Sequence, residues 1–263
     1  MSKHLSKLYF FLILFSVPTF SFAWGVIGHR VVGEIATSYL NPKAKLEIQK
    51  ILGNESLSLS STWADFIRSD SNYKYLNTWH YVDFEEDMLA PKMKAYLEED
   101  TSTNAFTKLN FIIAQLKGKS ISAKEKQFYL RLLVHIVGDL HQPFHVSPRG
   151  DNGGNTIKLN WFNESSNIHR VWDEGLIDYQ QLSFTEYTKA INFTNAQQRI
   201  DWQKAGIEEW IVESFSISKR LREDLKGETK LGYNYNFKHI ATVNEQLLKA
   251  GVRLAGILNK IYG

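Results

Sequence analysis

The stretch Leu132-Leu-Val-His135-Ile-Val-Gly-Asp139-Leu-His141-Gln-Pro143-Phe-His145 decides how the chain is read. Proline lacks an N–H and its ring collides with the preceding turn, so Pro143 stops a helix that enters from about residue 124 and ends near His141. Within that helix His135 and Asp139 are four residues apart, and side chains at that spacing leave one face a turn apart. Their neighbours Leu132, Leu133, Val134, Ile136 and Val137 are apolar. Both polar groups therefore head for a buried surface, where they need a partner. His145 lies just past the helix end, free to point back between them. Further on, Asn167-Ile-His169-Arg-Val-Trp-Asp173-Glu repeats the His-x-x-x-Asp spacing. One such pair is commonly only a polar helix face. Two pairs and a loop histidine make a set of nitrogen and oxygen donors that suits zinc.

Upstream, residues 1–23 carry a short basic start (Lys3, Lys7), an apolar run over 8–17 broken only by Ser16, and Ser21-Phe22-Ala23 where a signal peptidase wants small residues. The run is too short to span a bilayer. Export to a periplasmic or extracellular space is expected, with a mature chain, residues 24–263, beginning at Trp24. The formal charge of +3, less Lys3 and Lys7, becomes +1, so composition alone does not argue for nucleic acid. With no cysteine, an exported chain must be held by its core, to which bound metal could add. No linker or repeat divides it, and nothing calls for a stable membrane anchor or an obligate protein partner.

Apolar residues at 27, 31, 32, 35 and 36 have helical spacing and place His29 near a helix start. Asn41-Pro42 opens a second helix, closed by Gly53. Residues 54–61 read as a polar loop, followed by a short helix with Ser61 or Thr62 as cap and Asp65 in its first turn. Residues 78–84 read as an aromatic extended segment, and 88–100 as acidic and exposed. Helices are expected at about 102–117, 124–141, 201–225 and 237–262. Gly150-Asp-Asn-Gly-Gly-Asn155 reads as a hairpin turn leading into an edge strand at 156–162. His141 lies six residues from His135, roughly 240° round the helix. It and His239 are left as structural or solvent-facing.

Collected in order, the candidates Trp24, His29, Asp65, His80, His135, Asp139, His145, His169 and Asp173 resemble the zinc-dependent S1/P1 nuclease family, which shares its trinuclear zinc site and helical fold with bacterial zinc phospholipase C. The likeness is carried by Trp24-Gly with His29, Trp-Ala-Asp65, Trp-His80-Tyr-Val-Asp83, His135-x-x-x-Asp139 with Gln-Pro-x-His145, Gly-Gly-Asn155, and His169-x-x-x-Asp173. It implies a mainly α, single-domain multi-helix bundle with a small β-hairpin and three zinc ions. Asp65, His80, His135 and Asp139 would bind one ion. His29, Asp139 and the α-amino nitrogen and carbonyl oxygen of Trp24 would bind a second, and His145, His169 and Asp173 a third. Asp65 would orient the attacking water and Arg68 would neutralise phosphoryl charge. Tyr81 would stack on an unpaired base, Asp83 would accept its hydrogen bonds, and Gly153 and Asn155 would line its pocket. The implied activity is cleavage of single-stranded DNA and RNA to 5′-nucleotides, with 3′-nucleotidase activity. The alternatives are a phospholipase C-like phosphodiesterase and a non-catalytic exported zinc-binding protein. Members of the family with disulfides differ from this chain, which has no cysteine.

Overall fold

A computed structural model describes residues 24–118 and 120–263; the expected signal peptide, residues 1–23, lies outside them. The first helices are α1 (Val26–Ser38), α2 (Pro42–Leu52), the one-turn α3 (Leu57–Ser60) and α4 (Trp63–Ile67). A 3-10 segment, Ser71–His80, leads into strand β1 (Val82–Phe84). Helices α5 (Ala90–Glu99), α6 (Ala105–Lys117) and α7 (Ala123–Asp139) follow. A 3-10 turn at Pro143–His145 joins α7 to β2 (Val146–Pro148), which pairs in parallel with β1. Strands β3 (Lys158–Trp161) and β4 (Glu164–Asn167) form the hairpin. The helical run after it comprises α8 (Ile168–Arg170), a π turn at Val171–Gly175 and α9 (Leu176–Asp178). The chain closes with α10 (Phe184–Ile191), α11 (Ala196–Lys204), α12 (Ile207–Leu225), β5 (Lys230–Leu231) and α13 (Tyr233–Tyr262).

The fold is mainly α, as the helical patterns predict. Helix α7 forms its axis, since α1, α2, α3, α4, α6 and α13 all pack on it. Its N-terminus is fixed by a capping box in which Ser122 and Glu125 each satisfy the other's backbone N–H. Its second half, from Leu132 to Asp139, is buried throughout. The Asn41 carboxamide caps α2 at 2.8 Å, and Gly53 closes that helix at φ 66°, where a β-carbon is disfavoured. In α13, Val243, Leu247, Leu248, Leu254 and Leu258 are buried, while Ile240, Ile257 and Ile261 sit at the core's margin.

Several local expectations change. The loop at 54–61 contains α3, with Leu57, Ser58 and Ser60 buried; Ser56 caps it, and Ser58 Oγ donates to Glu34 on α1 at 2.7 Å. Thr62 stands at the start of α4, but its hydroxyl donates back to Leu59 O and caps nothing. Only Tyr81–Phe84 of 78–84 is extended. The preceding residues curl into a 3-10 helix because Asp70 accepts from Asn72 N, and Leu76 and Trp79 bury one turn apart. Residues 88–100 are not simply exposed: Met93 and Leu97 of α5, four apart, bury against α12. Strand β3 is central rather than an edge, flanked by β4 and β5. The hairpin turns at Phe162, φ 54°, and not at Gly150–Asn155, which forms turns before the hairpin. The pattern over 201–225 breaks at Ala205-Gly206 into α11 and α12, with Gly206 as the second helix's N-cap. Among the described residues, no helix is long and apolar enough to cross a membrane.

Candidate metal centre and substrate pocket

The buried end of α7 brings the scattered donors together. Asp139 occupies the centre, with its two carboxylate oxygens facing different histidines. Oδ1 lies 3.3 Å from His29 Nε2, while Oδ2 lies 3.0 Å from His80 Nδ1 and 3.2 Å from His135 Nε2. His29 comes from the first turns of α1, His80 from the end of the 3-10 segment and His135 from one turn earlier on α7. Asp65, on α4, places Oδ1 3.8 Å from His135 Nε2, and Arg68 Nη1 is 3.7 Å from the same oxygen. A second cluster lies beside the first. His169 Nε2 is 3.1 Å from Asp173 Oδ2, and His145 Nε2 is 3.8 Å from Asp173 Oδ1.

Backbone carbonyls fix the far side of three rings and so decide which nitrogen faces inward. His135 Nδ1 meets Ser61 O at 2.7 Å, His145 Nδ1 meets His80 O at 2.7 Å, and His169 Nδ1 meets Gly153 O at 2.6 Å. A carbonyl only accepts, so each Nδ1 carries the proton and each Nε2 lone pair is left for the cluster. Gly138 allows a further close approach: a β-carbon there would sit 2.8 Å from His29 Nδ1. His29 in turn stacks on His135, with ring centres 4.0 Å apart.

The donor set fits cations. His29 Nδ1 and Nε2, Asp65 Oδ1, His80 Nε2, Asp139 Oδ1, His145 Nε2 and Asp173 Oδ2 are all buried and make no hydrogen bond. Each such atom costs about 1–3 kcal/mol unless something else satisfies it. Three groups bring ligand atoms within 4.8 Å of one another: His29, Asp65 and His135; His80, His135 and Asp139; and His145, His169 and Asp173. The electrostatics agree. Burial pushes the His29 and His80 imidazoles down. Burial would also lower His135, but Asp139 and Asp65 together carry it up to about 9. His145 is likewise raised to about 9 against its burial, by Asp173 and Asp139. Burial opposes ionisation of Asp139, yet His135, His29 and His80 hold its carboxyl well below the usual range. His135 and His145 thus hold protons that a bound cation would displace.

A cavity of about 580 Å³ opens beside these groups, with His80, His145 and His169 in its wall. Arg68, Tyr81, Asp83, Gly153 and Asn155 line it too, so every residue predicted to contact substrate faces one space. Tyr81 is exposed. Burial raises the Asp83 carboxyl, with Arg149 pulling the other way. Trp24 is fully buried, and the Gly25 N–H donates to Asp173 O at 2.7 Å, which ties the start of the described chain to the second cluster.

The sequence reading passed over four contributors. Asn77 and Lys158 also line the cavity. Gln142 donates to Asp173 Oδ1 while its own carbonyl accepts from Phe144 N at 2.5 Å. Arg222 on α12 grips Asp151 through two bonds of 2.6 and 2.9 Å, steadying the loop that carries Gly153 and Asn155. Gln142 had a visible signal, a polar residue inside the Gln-Pro-x-His run. The Arg222 pair spans the hairpin, and no local spacing announces it. His141 is structural and fully buried: its Nδ1 donates to Val137 O and its Nε2 accepts from Arg253 at 3.0 Å. His239 is buried as well, against Tyr235 and Trp172, so neither histidine faces solvent.

The family model described as S1/P1 Nuclease matches residues 24–263. Endonuclease 4 of Arabidopsis thaliana is 28% identical to this chain, over 95% of it and 93% of that protein. Endonuclease 3 of the same plant is 26% identical with the same coverage. Nuclease P1 of Penicillium citrinum is 28% identical over 91% of this chain and 98% of its own length. With the match running from Trp24 to Gly263 and so taking in both clusters, the chain belongs to the S1/P1 nuclease family.

Proposed function

We propose that the chain is an exported zinc-dependent phosphodiesterase that hydrolyses single-stranded DNA and RNA to 5′-nucleotides and also dephosphorylates 3′-nucleotides. The observation that carries this is the adjacency of the donor clusters to a cavity that also holds Tyr81, Asp83, Gly153 and Asn155. Asp65, His80, His135 and Asp139 would hold one zinc. His29 and Asp139 would hold a second, with the Trp24 α-amino nitrogen and carbonyl oxygen once residues 1–23 are cleaved. His145, His169 and Asp173 would hold a third. When bound, zinc supplies Lewis-acid stabilisation of phosphoryl charge and lowers the pKa of water towards 7.

The protein's own groups do the rest. The two oxygens of Asp139 meet different histidines, Oδ1 meeting His29 and Oδ2 meeting His80 and His135, so this one carboxylate could serve two cations. Asp65, whose Oδ1 is without a hydrogen bond, orients the attacking water. Arg68, on the cavity wall, offers its guanidinium to the phosphoryl oxygens as charge builds there. Tyr81 stacks on the base and the Asp83 carboxylate accepts its amino and imino protons. A base still paired in a duplex cannot enter such a cavity without leaving the stack, which favours unpaired strands.

The test is to incubate the mature protein with single-stranded DNA, RNA, 3′-AMP and phosphatidylcholine, with and without chelator. The first three should be hydrolysed, with activity lost to chelator and restored by zinc. Turnover of phosphatidylcholine above that of the nucleotides moves the reading to a phospholipase C-like enzyme. Zinc binding without turnover of any of the four leaves a non-catalytic zinc-binding protein.

A further inference from the structure

The 3-10 segment that gives Asn77 to the cavity wall also carries a second feature that the catalytic reading does not use. Asn77 lies between Tyr75 and Trp79 on the 3-10 segment, and from there a circuit of rings runs across three elements. Tyr75 meets Trp79 at 5.8 Å and stacks beside Tyr73 at 6.4 Å. Tyr73 meets Phe128 on α7, which meets Tyr129 at 5.4 Å. Tyr129 meets Phe111 on α6 at 5.8 Å. Lys108 closes the circuit, its Nζ 5.0 Å from the Trp79 ring centre and 5.5 Å from that of Phe111.

Two properties separate this face from ordinary core packing. Tyr75 and Phe111 are 54% and 41% exposed, so the circuit brings two aromatic side chains to the surface, and exposed apolar groups clustered in this way mark binding surfaces. Among the described residues, neither Lys108 nor Lys74 next to Tyr75 has a carboxylate partner in an ion pair. An uncompensated ammonium set between the buried Trp79 ring and the exposed Phe111, on the same face as Tyr75, matches the alternation of phosphate and base along a single strand.

We propose that Tyr75, Phe111 and Lys108 form an extended subsite for single-stranded polynucleotide, continuous with the cavity through Asn77. Nucleotides beyond the one in the cavity stack on Tyr75 and Phe111, and Lys108 takes a backbone phosphate between them. This rests on the proposed single-strand hydrolysis and adds where the strand runs. The cavity alone serves a mononucleotide; the ring face makes affinity grow with chain length.

The experiment compares kcat and KM for 3′-AMP and for oligodeoxyadenylates of increasing length, using zinc-loaded wild type, Tyr75→Ala, Phe111→Ala, Tyr75→Phe and Lys108→Gln. In wild type KM should fall with length. Tyr75→Ala and Phe111→Ala should leave 3′-AMP kinetics and zinc content unchanged while raising KM for the long oligomers by roughly 5- to 150-fold, from the usual cost of losing one stacked base. Tyr75→Phe, which keeps the ring, should behave as wild type. Lys108→Gln should flatten the salt dependence of log KM by about 0.7. If wild type hydrolyses neither 3′-AMP nor oligomers, the catalytic reading itself fails. If it hydrolyses both and the alanine variants keep the full length dependence, the subsite does not exist. An alanine variant that changes the sedimentation coefficient but not KM would show the face to be a protein interface, which also overturns the proposal.

Discussion

Gly138→Ala offers a sharp separation of stability from site geometry. The new β-carbon would stand 2.8 Å from His29 Nδ1 and 3.0 Å from Cε1. Comfortable contact is about 3.5–4.0 Å, so the ring must withdraw on the order of 0.7 Å. It has little room to do so, because it stacks on His135 at 4.0 Å and faces Asp139 at 3.3 Å. Overpacking of this kind costs about 1–3 kcal/mol, while alanine in place of a glycine in the last turn of α7 returns at most about 1 kcal/mol of helix propensity. The net loss is then about 0–3 kcal/mol, or up to about 12 °C in Tm for a chain of this size. Metal geometry is less forgiving, since ligand distances tolerate only about 0.2 Å, and misplacement near 1 Å can cost about 100-fold in rate. The variant should therefore stay folded in chelator, with a Tm near that of the metal-free wild type. It should bind one fewer zinc by elemental analysis and lose about 100-fold in kcat/KM on 3′-AMP. A variant that holds three zincs and turns over within twofold of wild type would refute the contact argument.

Other substitutions probe the remaining assignments. Asp139→Asn should strip more metal than loss of any ligand serving one ion, measured by elemental analysis, because it removes the charge facing both sides of the cluster. Asp65→Asn should keep much of the zinc but lose turnover; near-wild-type kcat would show that Asp65 does not direct the nucleophile. A protein starting at Trp24 should bind one more zinc, and cleave faster, than the same protein carrying one extra alanine, because a peptide nitrogen is a poor donor; equal zinc content and rate would remove Trp24 from the ligand set. Burial lowers the folded-state pKa of His239 from 6.5 to about 4. Its neutral form thus contributes stability that is complete above pH 6.5 and lost as pH falls towards 4. His239→Phe should flatten that acid-side decline of Tm, by an amount equivalent to about 1–2 kcal/mol once solvent screening is allowed for.

How much could be read before the fold was known depended on the range of the physics involved. The helix i,i+4 rule is local, so His135 with Asp139 and His169 with Asp173 were legible as pairs, and both converge as that spacing requires. Caps are equally local, and Asn41-Pro42 and Gly53 bound α2 as read. The order of β5 beside β3 was not legible, because it is set by the chain's return after α12, some seventy residues later. The same holds for Arg222, whose partner Asp151 lies across the hairpin. The failure at 88–100 has another cause. Its charges hid two apolar residues four apart, Met93 and Leu97, which are enough to dock a short helix.

The cluster places strong demands on the surrounding chain. Backbone carbonyls at Ser61, His80 and Gly153 fix three inward-facing nitrogens. Each belongs to an element that also carries a candidate site residue: Ser61 leads into the helix of Asp65, His80 is itself a donor, and Gly153 lies in the loop that lines the cavity. Orienting one ring therefore also places the element bearing another site residue. A shift of the Gly153 loop moves the His169 ring and the cavity wall together, and Arg222 restrains both by gripping Asp151. Loop variants such as Arg222→Gln should consequently change zinc affinity and nucleotide KM in parallel. If KM rose while all three zincs stayed bound at unchanged affinity, the loop and the ring would be independent, and the hydrogen bond from His169 to Gly153 would not be what orients that ligand.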